Sequence, residues 1–175
     1  MELKIKRLSD KAIMPIRAHE GDAGLDLTAT SITSEINECG QFILVYHSDI
    51  AVEIPEGYVG LLFPRSSIAK KSIQFTNAVG VIDSGYRGEI MAKVRNTSGD
   101  SVPAVYKVGE KFAQLVIVPY VSDITITETT ELQDSDRGTG GYGSSDVKED
   151  TSAVNTTEES VQEPAVEGNT SEAVA

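Results

Sequence analysis

The sequence predicts a compact all-β domain, a barrel or sandwich, followed by a segment with no core of its own. Three observations carry that reading: branched or small apolar residues alternate with polar ones at period two, turn signals recur at short intervals, and only one short stretch has helical character. Ile50, Val52 and Ile54 in IAVEI share one face of a strand, and Pro55-Glu56-Gly57 then turns the chain. Ser66 to Ser72, SSIAKKS, follows Pro64 and is expected to form a short helix capped by its serines. After the turn at Ser84-Gly85, Ile90, Ala92 and Val94 in EIMAKV mark a second alternating strand, closed by Ser98-Gly99-Asp100. Phe112 to Val118 is apolar on both faces except for Gln114, so it reads as a strand buried on both sides. In a domain this small, two-sided burial implies contact with another subunit. Ile124 and Ile126 in DITIT predict a last strand.

The chain has 175 residues and no internal repeat, which fits one domain with a sizeable core and an appendage. From Asp146 to Ala175 there are eight acidic residues, one lysine, no aromatic residue and no apolar periodicity, the composition of a disordered tail. The expected division is a β core over 1–127, a glycine-rich arm over 128–145 and an acidic tail over 146–175. The tail supplies −7 of the formal net charge of −12, leaving the body only −5. A mildly acidic body with scattered cations lacks the basic stripe of a nucleic-acid binder. No apolar run approaches the about 18 residues of a membrane span, and the first residues lack a signal-peptide core, so a soluble cytoplasmic protein is expected. Cys39 is the sole cysteine, which rules out an intrachain disulfide and, with two histidines and no Cys/His signature, disfavours thiol catalysis.

Four segments carry chemistry. Asn77 to Gly88, NAVGVIDSGYRG, places a carboxylate, Asp83, and an aromatic ring, Tyr86, between Gly80 and Gly88. Glycines tolerate unusual backbone angles and close ligand approach, so the stretch reads as a hairpin pocket holding a flat base over a general base. It also reads as an ordinary tight hairpin with Asp83 as turn former. Asp22-Ala23-Gly24-Leu25-Asp26 sets two carboxylates four apart at a strand entrance, suited to Mg²⁺ beside substrate phosphates or to a solvated turn. Pro64-Arg65-Ser66-Ser67 offers a guanidinium fork, hydroxyls and backbone amides to phosphate, or is a capped helix start with a surface arginine. Arg137 to Ser145, RGTGGYGSS, exposes backbone amides as a phosphate-wrapping loop or serves as linker; it lacks the ending of a Walker A motif. Gln114 is either satisfied by neighbouring backbone or aimed at a ligand.

In order and spacing these segments resemble the five motifs of the homotrimeric dUTPases, over roughly residues 1 to 145. Ala23 to Leu27 is like the first, Pro64 to Ser67 the second, Asn77 to Gly88 the third, Gly109 to Gln114 the fourth and Arg137 to Ser145 the fifth. The resemblance implies a distorted β-barrel or jelly-roll of the β-clip type, a homotrimer with shared active sites, and hydrolysis of dUTP to dUMP and pyrophosphate with Mg²⁺. It implies that Asp83 orients and deprotonates the attacking water and that Asp26 holds a water on the triphosphate-bound Mg²⁺. Arg65, Ser66, Ser67, Gln114 and Arg137 would bind phosphate, assisted by Gly143, Ser144 and Ser145 in the closing arm. Asn77 and the backbone of Gly80, Val81 and Ile82 would pair with the uracil edge, beside Met91. Tyr86 would pack under the deoxyribose and reject a 2′-hydroxyl, and Tyr142 would stack on the base. Ser67 stands where glycine is frequent and Tyr142 where phenylalanine is commoner; the acidic tail is outside the family pattern.

Two other functions compete. A dCTP deaminase resembles the same fold, but it carries a glutamate five residues after a glycine like Gly88, and here that position is Lys93. A nucleotide-switched regulator on the same scaffold would bind a repressor, with the acidic tail as an interaction arm.

Overall fold

The computed structural model describes residues 1–99 and 103–139. The chain divides into two units, Met1–Ile126 and Thr127–Ala175, and the first carries all the strands described. In order these are β1 (Lys4–Arg7), β2 (Leu25–Thr28), β3 (Ser31–Ile36), β4 (Phe42–Glu53), β5 (Tyr58–Pro64), β6 (Ile73–Phe75), β7 (Gly80–Ile82), β8 (Glu89–Asn96) and β9 (Lys111–Pro119). They form two antiparallel sheets, as the alternation predicts. One runs β1-β4-β8-β6 with β3 also on β4, and the other runs β2-β9-β5-β7.

The period-two residues do what their pattern requires. Ile50, Val52 and Ile54 are at most 2% exposed, and Ile90, Ala92 and Val94 at most 3%, all in one apolar core with Leu27, Leu62 and Leu115. Strand β4 stays inward-facing along its 12 residues despite an irregularity: His47 pairs with Met91 and Ala51 with Glu89, so β4 takes four steps where β8 takes two. Two extra residues preserve the parity of the pleat, which keeps Tyr46 and Ile50 on the same face. Asp49 lies at the centre of this bulge with φ +53°, a left-handed conformation that costs a non-glycine residue about 1–3 kcal/mol. A second bulge, opposite Leu27/Thr28 on β9, lets the adjacent residues Phe112 and Ala113 both be buried.

Two expectations need correction. Ser66–Lys70 is a 3₁₀ turn, and no serine caps it: its N-cap is Arg65 in extended backbone, without a side-chain cap bond. The Ser67 hydroxyl instead meets the Tyr106 hydroxyl at 2.8 Å. Ile124 and Ile126 form no strand and are 67% and 93% exposed. A strand needs a ladder partner, and both edges of β9 are already taken by β2 and β5, leaving the chain after Pro119 nothing adjacent to pair with. The expected disordered tail, 146–175, lies outside the described residues.

Tyr46 shows how the core is specified. Its ring stacks on Phe112 with centroids 5.3 Å apart and meets Tyr106 edge-on at 6.1 Å. Its hydroxyl accepts from the Tyr106 amide at 3.1 Å and donates to the Tyr106 carbonyl at 3.2 Å. Burial pushes the phenol up to about 12 from 10.0, because the charged form loses its water. With the folded value raised, the contribution to stability is complete below about pH 10 and is lost as pH rises through about 12. Tyr46→Phe should cost about 1–3 kcal/mol at neutral pH, read by urea unfolding, since it strands buried backbone groups. The same variant should lose the Tyr46 share of alkaline destabilisation, giving a shallower fall of stability over that window.

Candidate active site

The segment Asn77 to Gly88 does not fold as a paired hairpin. Strand β7 pairs with β5, whereas β8, which follows the turn, pairs with β4 and β6 in the other sheet. The chain therefore splays between the two sheets, and the space left where a ladder would run is a cavity of about 340 Å³. Among the described residues β7 ends its sheet, so one of its backbone edges has no strand partner there and borders that space. Asn77, Asp83, Tyr86, Glu89 and Met91 line the cavity, with Leu62 at its base. The glycines serve by what they lack rather than by unusual angles, since neither Gly80 nor Gly88 has positive φ. A Cβ on Gly88 would collide with the Tyr86 ring, and that ring is held by its hydroxyl donating to the Glu89 carbonyl at 3.0 Å. The turn is closed by Tyr86 N–H on the Asp83 carbonyl, and Arg87 donates to the Ser84 and Tyr86 carbonyls at 2.6 and 2.9 Å.

A second cavity, of about 410 Å³, lies on the other sheet's outer face and is lined by Asp22, Gly24, Asp26, Arg65, Ser66 and Gln114. Register explains the grouping. Asp26 pairs with Gln114, and Gln114 pairs with Phe63, so their side chains share the face opposite the core, and Arg65 follows two residues after Phe63. Asp26 is only 8% exposed, and both of its oxygens are bonded: Arg65 Nε donates to one at 2.8 Å and Lys111 Nζ to the other at 2.8 Å. One carboxylate between two cations leaves the cluster with a surplus positive charge, and two of the five guanidinium N–H donors are used, on Asp26 and the Lys111 carbonyl. Gln114 donates its amide to the Pro64 carbonyl at 3.1 Å, so the backbone partner expected for it exists while the side chain still lines the cavity.

Among the described residues, no group of three His, Cys, Asp or Glu is placed to hold a metal ion. Asp26 accepts one bond at each oxygen, and each oxygen keeps a lone pair for a water. That donor set fits a Mg²⁺ that arrives on a phosphate ligand with its own waters, and it does not form a cage.

The sequence-predicted residues thus fall into two groups. Asn77, Gly80, Val81, Ile82, Asp83, Tyr86 and Met91 meet at the first cavity, and Asp26, Arg65, Ser66 and Gln114 at the second. Ser67 lies apart, lining a neighbouring cavity with Lys70, Lys71 and Tyr106. Arg137 is exposed and belongs to the second unit; Tyr142, Gly143, Ser144 and Ser145 lie outside the described residues. Sequence reading missed Lys111 and Glu89. Their partners are distant in the chain, 85 residues away for Lys111 and 42 for Glu89 with His47, and no local pattern signals such a pair.

Two antiparallel sheets bearing a polar cavity lined by Arg65, Ser66 and Gln114 and a slot with an open strand edge define an all-β class equipped for a polar, ring-bearing ligand. The dUTPase family profile matches residues 10–146, and the chain belongs to that family. The deoxyuridine 5'-triphosphate nucleotidohydrolase of Clostridium acetobutylicum is 42% identical over 85% of this chain and 99% of its own. That of Rhodococcus erythropolis is 43% identical over 83% of this chain and 86% of its own. Among solved structures, the Staphylococcus bacteriophage 80alpha dUTPase with dUpNHpp matches with TM-score 0.67 and 33% identity over 83% of this chain and 99% of its own. A mutant dUTPase from phage phi11 of S. aureus, with a structural Mg(II) ion, matches with TM-score 0.61 and 30% identity over 77% of this chain and 100% of its own.

The packing of Gly24 gives a direct test of the second cavity. A Cβ there would sit 2.6 Å from Gln114 Oε1 and 3.1 Å from Gln114 Cβ, so Gly24→Ala must displace the amide. Expected are a shifted Gln114 side-chain amide resonance and a tenfold or greater loss of pyrophosphate affinity by calorimetry, the scale of one charge-assisted hydrogen bond at about 1.5 kcal/mol. The melting temperature should move by only a few degrees.

Proposed function

We propose that this chain hydrolyses dUTP to dUMP and pyrophosphate in a homotrimer whose sites combine the two cavities from different subunits. The observation that carries the reading is the unladdered gap between β7 and β8, which sets an open strand edge beside Asp83 and Tyr86. Uracil pairs with that edge and with Asn77 as a further strand would; cytosine presents mismatched donors there, and the wall leaves no room for the thymine methyl. Tyr86 packs under the deoxyribose and excludes a 2′-hydroxyl. Asp83 takes a proton from water as its oxygen bonds to the α-phosphorus, and the bond from that phosphorus to the departing pyrophosphate breaks in line. Arg65, Ser66 and Gln114 hold the phosphate oxygens, with the Asp26 charge already met by Arg65 and Lys111, so positioning and electrostatics supply most of the rate. Mg²⁺, when bound to the triphosphate with Asp26 holding one of its waters, neutralises charge on the leaving group. The family resemblance gives Arg137 a phosphate-binding role; Tyr142, Gly143, Ser144 and Ser145 lie outside the described residues.

Two features support the shared site. The cavities have no lining residue in common, so one chain offers the base slot and the phosphate cluster as separate surfaces. Beside the phosphate cavity runs an apolar stripe: Val59 pairs with Val118, and Leu61 with both Val116 and Val81; in the single chain Val81 is exposed and the other four are only partly buried. The two-sided apolar character of Phe112 to Val118 is satisfied when a second subunit covers that stripe. Deamination of dCTP is disfavoured because Lys93, at the position of the family glutamate, has an ammonium that pairs with Glu35 at 2.6 Å.

Asp83→Asn should leave dUTP affinity nearly intact and cut turnover by about 10² to 10⁴, the scale of a lost general base. A single-turnover rate within tenfold of the parent removes Asp83 from the role. Co-refolding Asp83→Asn chains with chains truncated before Arg137 should recover activity that neither parent shows. Deleting 147–175 should leave kcat and KM unchanged; a large fall would favour the regulatory reading of the tail.

A further inference from the structure

Glu89 touches both the strained bulge of β4 and the site turn. Its Oε1 accepts from the Asp49 amide at 2.8 Å, and its Oε2 meets His47 Nδ1 at 3.1 Å, so the carboxylate joins the first residue of the irregular segment to its centre. The far side of the imidazole is fixed as well, with His47 Nε2 at 2.8 Å from Thr33 Oγ1 on β3. The main-chain carbonyl of the same glutamate receives the Tyr86 hydroxyl at 3.0 Å. Glu89 thus begins β8 at the point where the chain leaves the site turn, and its side chain adds to its ladder pairing with Ala51 a bond to the centre of the bulge. Ser48 reinforces the same junction by donating to the Ile90 carbonyl at 2.6 Å.

We infer that Glu89 is a positioning residue for sugar discrimination: by clamping His47 and the Asp49 amide it fixes its own carbonyl, and that carbonyl fixes the Tyr86 ring over Gly88. The inference rests on the reading of Tyr86 as the wall that excludes a 2′-hydroxyl. A carboxylate suits the post because both of its oxygens accept, one from a backbone amide and one from an imidazole N–H. With Glu89 accepting at Nδ1–H, His47 takes the Nδ1–H tautomer, and its Nε2 accepts from the Thr33 hydroxyl. A glutamine can keep the clamp by inverting this: its oxygen accepts from Asp49, its amide donates to Nδ1, and Nε2–H donates to Thr33.

The test compares kcat/KM for dUTP with that for UTP in full-length Glu89→Ala, Glu89→Gln and Tyr86→Leu chains, with the His47 tautomer read by ¹⁵N NMR at pH 8. Glu89→Ala should lower the dUTP-to-UTP ratio at least tenfold, chiefly through KM. Glu89→Gln should hold the ratio within threefold while His47 switches from the Nδ1–H to the Nε2–H form. Should Glu89→Ala alone fail to fold, Asp49→Gly added to it removes the left-handed strain at φ +53° and returns a chain on which the ratio is read. An unchanged ratio in the Glu89→Ala chains, or an Nε2–H tautomer in the parent, overturns the inference. If Tyr86→Leu leaves the ratio unchanged, the reading of Tyr86 itself fails, whatever Glu89 does.

Discussion

The carboxylate of Asp26 is the constraint on which the phosphate side of this molecule depends. A buried acid is tolerated only when its charge is met and its oxygens are bonded, and here both oxygens are taken, by Arg65 and by Lys111. Those cations come from the end of β5 and the start of β9, so one side chain on β2 ties together three separate lengths of sequence. The arrangement also does chemical work. It holds Arg65 and Lys111 on one carboxylate that offsets their mutual repulsion, and it fixes the Nε edge of a guanidinium whose other donors can then face a ligand.

On the base side the governing feature is a missing ladder. Strands β7 and β8 are joined by a short turn yet belong to different sheets, which leaves backbone polar groups along one edge of β7 without a strand to bond. Such an edge ordinarily invites aggregation. Here it is three residues long and faces a cavity of about 340 Å³, so its bonding capacity is available to a ligand. Left-handed residues flank the region at Ala78, φ +58°, and at Asp49, φ +53°, both non-glycine. Strain concentrated beside a cavity, and held by specific bonds such as that from Asp49 N–H to Glu89, is the signature of a site whose geometry is fixed in advance.

Much of this was legible in the sequence, for a definite reason. Period-two alternation reports burial on one face, and burial is what the core strands at Ile50–Ile54 and Ile90–Val94 have. The same signal misleads at Ile124 and Ile126, where alternation exists without a partner strand, because periodicity records a face and says nothing of what pairs with the edge. Asp83, Tyr86, Arg65 and Gln114 stand out in the sequence because their residue types and spacing are chemical in themselves, and each lines one of the two cavities. Lys111 and Glu89 were not, because a lysine or glutamate on a strand looks like a solvated side chain until the fold brings Asp26 or His47 to it. The unpaired β7–β8 turn was read as a hairpin for a similar reason: turn residues fix a reversal of direction, while the choice of sheet is made by strands elsewhere in the chain.

The central claim is that the slot and the cation cluster together direct water to the α-phosphorus of dUTP. Turnover in ¹⁸O-water, with mass analysis of both products, tests it most directly. The account predicts one ¹⁸O in each dUMP and none in pyrophosphate, and no such reaction with dCTP. Label in the pyrophosphate, or conversion of dCTP to dUTP, would contradict it.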